Sequence, residues 1–227
     1  KFYSFCPSPS NFISTMADTL ATGFNVFSGA WLTSPGAVNI EVVCVNWLLE
    51  IFCLPITEGG GFFTSGGSMA NMTGIVTARN VKCGEDSTKA VLYLSDQAHS
   101  SNAKAARIAG FRSDQIRVIG TNDDFKMKTI ELLEAIEKDK SIGNVPFCVI
   151  ATAGTTNTGS VDELNDIADI CGEQDLWLHV DAAYGGAAVL SRDNEKVNGI
   201  GRADSITVDP HKWFFQPYEI GCILIRD

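Results

Sequence analysis

From residue 59 onward, short apolar runs alternate with stretches of helical periodicity. The runs at 61–64, 90–94, 116–119, 147–152, 176–180, 205–208 and 222–225 are rich in Val, Ile, Leu and aromatic residues, the pattern of buried strands. Between them, 68–79, 100–109, 129–139 and 161–171 place apolar residues at helical spacing. Ser160 followed by Glu163 reads as a capping box opening the last of these helices. Strands separated by helices predict an α/β fold with a largely parallel sheet flanked by helices. Ligands of such sheets gather beyond the carboxyl ends of the strands, so the polar residues there are the first candidates for chemistry.

The most apolar stretch, 37–54, is bounded by Pro35-Gly36 and Pro55 and carries Asn39, Glu41, Asn46 and Glu50. At about 100° per residue, Asn39, Asn46 and Glu50 share a narrow stripe and leave a wide apolar face. A spanning helix would be nearly free of such groups, so a buried core or interface helix is expected instead.

The 227 residues are 45% hydrophobic and 19% charged, enough to bury one large core or two small ones without staples. A net charge of −10 argues against nucleic acid or an anionic membrane as partner, while leaving room for a small anion bound locally. Seven scattered cysteines with no C-x-x-C pair suit free thiols in a reducing, cytoplasmic setting better than a disulfide frame or a zinc site. The start at Lys1 and the end at Arg226-Asp227, directly after an apolar run, lead us to expect a longer natural protein.

Five strand ends carry polar residues. Gly59 to Ser68 runs from a short strand through a glycine-rich turn into a helix. Gly66, Gly67 and Ser68 could cradle an anion at the helix N-terminus, or simply make a tight turn. The segment matches neither a P-loop, since Gly67 stands where lysine is needed, nor the dinucleotide fingerprint. Asp181 ends a buried strand and is followed by the small residues Ala182 and Ala183. It could hold a protonated ring nitrogen, with Ala183 leaving space for a flat ring, or cap the next element.

Lys212 stands beside His211 and ahead of Trp213, Phe214 and Phe215. Enclosure by these aromatics would desolvate its amine and favour imine chemistry, whereas most lysines are solvated surface charges. His99, in Ser95-Asp96-Gln97-Ala98-His99-Ser100-Ser101, could stack on a ring, move protons or serve structure alone. The hydroxyls following Thr152 fit ordinary turn chemistry. In combination, an anion cradle, a ring-facing acid, a stacking histidine and a lysine are the parts that hold pyridoxal phosphate.

Ser95 to Ser101, His179-Val180-Asp181-Ala182-Ala183-Tyr184 and Asp209-Pro210-His211-Lys212-Trp213 closely resemble blocks of the group II pyridoxal phosphate-dependent decarboxylases. The resemblance implies the aspartate aminotransferase-like fold (fold type I), a mostly parallel seven-stranded sheet, and a homodimer with the active site at its interface. It divides the chain into an N-terminal segment and interface helix, 1–58, and a cofactor-binding large domain, 59–227. By the same resemblance Lys212 would carry the cofactor, His99 would stack on its ring, Asp181 would pair with the pyridine nitrogen and Ala183 would lie against the ring. Gly67, Ser68 and His211 would meet the phosphate and Thr152 would sit near the ring hydroxyl. Lys212 and His99 become the candidates for proton transfer.

The implied reaction is decarboxylation of an L-amino acid to its amine and carbon dioxide. Phe2, Tyr3, Phe5 and Pro7 resemble the aromatic segment lining the substrate pocket of the aromatic decarboxylases. An aromatic substrate is therefore expected ahead of glutamate or diaminobutyrate, with Phe5 and Pro7 in the pocket. Aldehyde-forming deamination, aminotransfer and a silent cofactor-binding domain remain alternatives. Asp209 stands where similar animal decarboxylases have Asn, and a second carboxylate beside a phosphate is unfavourable unless it points away from it. Family members continue past the lysine into a mobile loop and a small C-terminal domain, neither of which falls within these residues.

Overall fold

The computed structural model describes residues 8–227; Phe2, Tyr3, Phe5 and Pro7, named above for a substrate pocket, lie outside the described residues. Seven strands, β1 (Gly60–Thr64), β2 (Ala90–Ser95), β3 (Ile116–Ile119), β4 (Val145–Thr152), β5 (Trp177–Asp181), β6 (Ser205–Val208) and β7 (Gly221–Ile225), form one sheet. Its order is β1-β7-β6-β5-β4-β2-β3. Neighbours from β6 to β3 pair in parallel, and β7 alone is reversed, antiparallel to both β1 and β6. The largely parallel seven-stranded sheet expected from the sequence is thus present, and six strands deliver their carboxyl ends to one edge.

Among the described residues, seven α-helices accompany it: α1 (Phe12–Phe24), α2 (Pro35–Ile51), α3 (Gly67–Cys83), α4 (Ser100–Ile108), α5 (Thr129–Ser141), α6 (Leu164–Gln174) and α7 (Pro210–Trp213). Alternation along each strand splits the core into two layers, because successive side chains leave opposite faces. Leu92, Leu94, Phe147 and Ile150 meet Ile75 and Ala78 of α3 and Ala105 and Ala106 of α4. Val91, Tyr93, Val149 and Leu178 meet Leu48 and Leu49 of α2, Leu132 and Ile136 of α5, and Leu164 and Ile167 of α6.

The predicted capping box does not form. Glu163 is the N-cap of α6 and makes no side-chain cap bond, while the Ser160 hydroxyl donates to the Asp124 carbonyl at 2.6 Å. Val161 is held instead by a bridge to Ala153, which delays the helix to Leu164. Helix α2 begins at Pro35, whose missing N–H costs nothing in a first turn, and buries Val45, Leu48 and Leu49. The rest of its apolar surface is not buried: Ile40, Val43 and Trp47 are exposed, as are Phe12, Ile13, Leu20 and Phe24 of α1. Among the described residues, no helix is long and apolar enough to cross a membrane.

Candidate active site

A cleft of about 220 Å³ opens at the carboxyl edge of the sheet. It is lined by all eight cofactor-site candidates within the described residues: Gly67, Ser68, His99, Thr152, Asp181, Ala183, His211 and Lys212. Register explains the convergence, because Thr152 is paired with Asp181, and Asp181 with Thr207, across β4, β5 and β6. Asp209 follows β6 by one residue and leads into α7, which carries His211 and Lys212.

The turn into α3 needs its glycines. Gly66 has φ 117°, a region L side chains avoid, and a Cβ on Gly67 would come within 2.7 Å of both Asp209 carboxylate oxygens. The first N–H groups of α3 lack intrahelical acceptors, so together with the Ser68 hydroxyl they can receive an anion.

Asp181 is buried and oriented by three donors. Its Oδ2 accepts from Asn71 at 2.9 Å and from Asn102 at 2.7 Å, and its Oδ1 accepts from the Ala183 N–H at 3.2 Å. Behind it, Asn71 Oδ1 lies 3.0 Å from His179 Nε2, and His179 Nδ1 lies 2.7 Å from Ser205 Oγ, which also accepts from Trp177 Nε1 at 2.8 Å. Since Ser205 accepts from Trp177, its own proton points to His179 Nδ1, leaving the His179 proton on Nε2 for Asn71. Burial pushes His179 down to about 4, against the pull of Asp181, so the ring is neutral at physiological pH.

His99 is fixed as the N-cap of α4: its Nδ1 accepts from the Ser101 N–H at 3.3 Å and lies 2.7 Å from Ser101 Oγ. Ser101 Oγ in turn accepts from Asn71 at 3.0 Å, so its proton goes to His99 and the imidazole keeps its own on Nε2. Asn71 therefore spends one amide hydrogen on the His99 support and the other on Asp181. Thr152 is anchored through its backbone, whose N–H donates to Asp162 at 2.7 Å, while its buried Oγ1 has no protein partner. Of the hydroxyls after it, Thr155 and Thr158 bond each other at 2.6 Å, as turn chemistry predicts.

Two expectations need correction. Trp213 and Phe215 are 49% and 48% exposed and do not enclose Lys212; its ammonium lies 3.0 Å from Asp209 Oδ2. Nor does Asp209 point away from the cradle, since it lies against Gly67 and lines the cleft, drawn in by Lys212. Asn71, Asn102 and Asp162 were not named from the sequence, and Ser101 and His179 stood only within the motif blocks, with no role of their own. Signals were available for some: Asn71 follows Ser68 by three residues, one turn along the same helix face, and His179 shares a strand face with Asp181.

The chain matches the Pyridoxal-dependent decarboxylase conserved domain over residues 1–227. It belongs to the pyridoxal-dependent decarboxylase family. It is 47% identical over its whole length to an aromatic-L-amino-acid decarboxylase of Bacillus atrophaeus, spanning 47% of that protein. To an L-2,4-diaminobutyrate decarboxylase of Rhizobium meliloti (strain 1021) it is 40% identical over 93% of the chain and 42% of the relative. The crystal structure of Oryza sativa TDC with PLP and tryptamine superposes with a TM-score of 0.93 at 34% identity, covering 100% of this chain and 49% of that one. The chain thus spans about half the length of the curated relatives it matches. These likenesses confirm the decarboxylase resemblance and the fold type I architecture.

Proposed function

We propose that the cleft holds pyridoxal 5′-phosphate and that the protein decarboxylates an L-amino acid, aromatic in preference to acidic or diamino, to the amine and carbon dioxide. The observation carrying this reading is the convergence of Lys212, Asp181 and the α3 N-terminus on one cleft. The residues fit the group: the glycine turn opens α3 with no side-chain cap on its first N–H groups, and Thr152 Oγ1 is a buried hydroxyl without a protein partner.

When bound, the cofactor supplies an electron sink for the pair released as the carboxylate departs. The chain's own groups hold and orient it. Lys212 Nζ would provide the amine for covalent attachment and, when free of it, a group able to hold or deliver a proton beside the reacting carbon. Asp181, kept in place by Asn71 and Asn102, would accept from the ring nitrogen and so favour its protonated form. Gly67 and Ser68 donate to the phosphate, and His211 stands beside it with Nδ1 near the Ile220 backbone N and O, at 3.1 and 2.6 Å. Ala183 would leave the ring its space, Thr152 Oγ1 would serve the ring hydroxyl, and His99 would stack on the ring with its Nε2–H available to move a proton.

The unpartnered apolar faces of α1 and α2 fit a second copy of the chain, which would complete the cleft as a homodimer. The six described cysteines are free, and burial pushes Cys171 and Cys222 up to about 12, consistent with inert thiols in a cytoplasmic protein.

Supplying tyrosine, tryptophan, glutamate and diaminobutyrate separately to the full-length protein tests the reaction and substrate. Amine and carbon dioxide from the aromatic substrates are expected. Turnover of glutamate alone would overturn the aromatic preference, and a keto acid or aldehyde product would reject decarboxylation.

A further inference from the structure

Asp209 supplies a negative charge that an anion cradle does not call for. Its side chain is 4% exposed, with Oδ2 at 3.0 Å from Lys212 Nζ and 3.8 Å from His211 Nε2, while Oδ1 is buried without a partner. The carboxylate sits against Gly67, the first residue of α3, and so beside the N–H groups that would receive a phosphate. The other groups facing this corner are Asp181, across the cleft on β5, and Glu219, whose Oε1 is the atom nearest a Cβ built on Gly66. Buried Cys222 of β7 lies close enough to feel Asp209 and remains a neutral thiol.

In this arrangement the Lys212 ammonium is the main countercharge of Asp209. On the cofactor assignment proposed above, binding removes that balance twice. Lys212 is diverted to the cofactor's carbonyl carbon, and a phosphate of like charge arrives at Gly67. An ionised carboxylate can only accept, whereas a protonated one carries an O–H donor. We propose that Asp209 takes up one proton from solvent as the phosphate-bearing cofactor enters, and that the resulting carboxylic acid donates a hydrogen bond to the phosphate. Protonation exchanges no electrons and breaks no other bond; attachment at Lys212 is a separate condensation that releases one water. Burial already pushes the Asp209 carboxyl above its ordinary range, with Lys212 pulling the other way, so losing Lys212 favours the acid further.

Pyridoxal 5′-phosphate brings both the phosphate and the aldehyde that diverts Lys212, and the protons exchanged in attachment are common to wild type and Asp209→Asn and cancel in the difference. Calorimetric titration of this probe into the full-length protein, in buffers of differing ionisation enthalpy, counts the protons taken up. The wild type should take up about one proton more than Asp209→Asn, whose amide donates without titrating, and its affinity should fall by up to about tenfold more per unit of rising pH. Equal proton uptake in the two proteins overturns the proposal. Should Asp209→Asn not fold, an infrared difference spectrum of the wild type decides: a protonated carboxyl stretch appearing with the probe supports it, and no such band overturns it. Failure of the probe to bind at all refutes the cofactor assignment itself, and the Asp209 proposal with it.

Discussion

Asn71 and Asp181, 110 residues apart in sequence, are joined by a 2.9 Å hydrogen bond that ties α3 to the end of β5. Because Asn71 also accepts from His179 and supports Ser101, it couples the acid of the cleft to the histidine of the cleft.

Asn71→Ala leaves the buried His179 N–H with only the Thr207 hydroxyl, at 3.5 Å, as acceptor and Asp181 with one donor fewer. Lower stability by about 1–3 kcal/mol is expected from the poorly paired donor. Cofactor affinity should fall about tenfold, as expected for about 1.4 kcal/mol of lost orientation. Thermal unfolding and a fluorescence titration with pyridoxal phosphate measure the two separately, and unchanged affinity would remove Asn71 from the positioning role.

Gly74 packs directly behind this network. A Cβ there would approach His179 Cε1 and Nδ1 to 2.6 Å. In an exposed helix interior, Gly→Ala gains about 1 kcal/mol. Overpacking at a fully buried ring costs about 1–3 kcal/mol, so Gly74→Ala should lower the unfolding midpoint. A rise would show that His179 yields freely.

Much of this arrangement was legible in the sequence, and the boundary of legibility is physical. Apolar runs at 176–180 and 205–208 read as strands buried on both faces, and the polar residues following them share an edge once the sheet is parallel. Lys212 and Asp181 were found that way. Two other features depended on packing between distant segments: His179 on Asn71, 108 residues away, and Asp209 on Gly67. The aromatic neighbours of Lys212 misled for the opposite reason, since adjacency in a four-residue helix does not make Trp213 and Phe215 its walls.

Away from the cleft, Asp139 is buried and accepts from Tyr93, Arg117 and Asn144. Burial alone would raise its carboxyl, yet these bonds outweigh it and hold the group below its ordinary value of 3.8. The unfolded chain therefore binds this proton first as pH falls, so the contribution to stability is present above the ordinary carboxylate range and lost as pH drops through the folded-state value. Asp139→Asn should cost about 2 kcal/mol at neutral pH, discounted for the partly exposed Arg117. Denaturant titrations across the acid range should show the gap closing; a constant gap would assign the loss to packing alone.

The exposed Trp47 and Ile40 of α2 are one helical face apart from the core, so their burial requires a partner. If the protein forms the homodimer proposed above through this face, charged substitutions at both, Ile40→Glu with Trp47→Glu, should convert it to monomers in sedimentation equilibrium without lowering the unfolding midpoint of the monomer. An unchanged mass would place the interface elsewhere.

The account turns on covalent attachment at Lys212. Full-length protein loaded with pyridoxal 5′-phosphate, reduced with borohydride and digested, is predicted to carry the cofactor adduct on the peptide containing Lys212, with Lys212→Ala losing it. An adduct spread over surface lysines, or persisting undiminished in Lys212→Ala, would contradict the account.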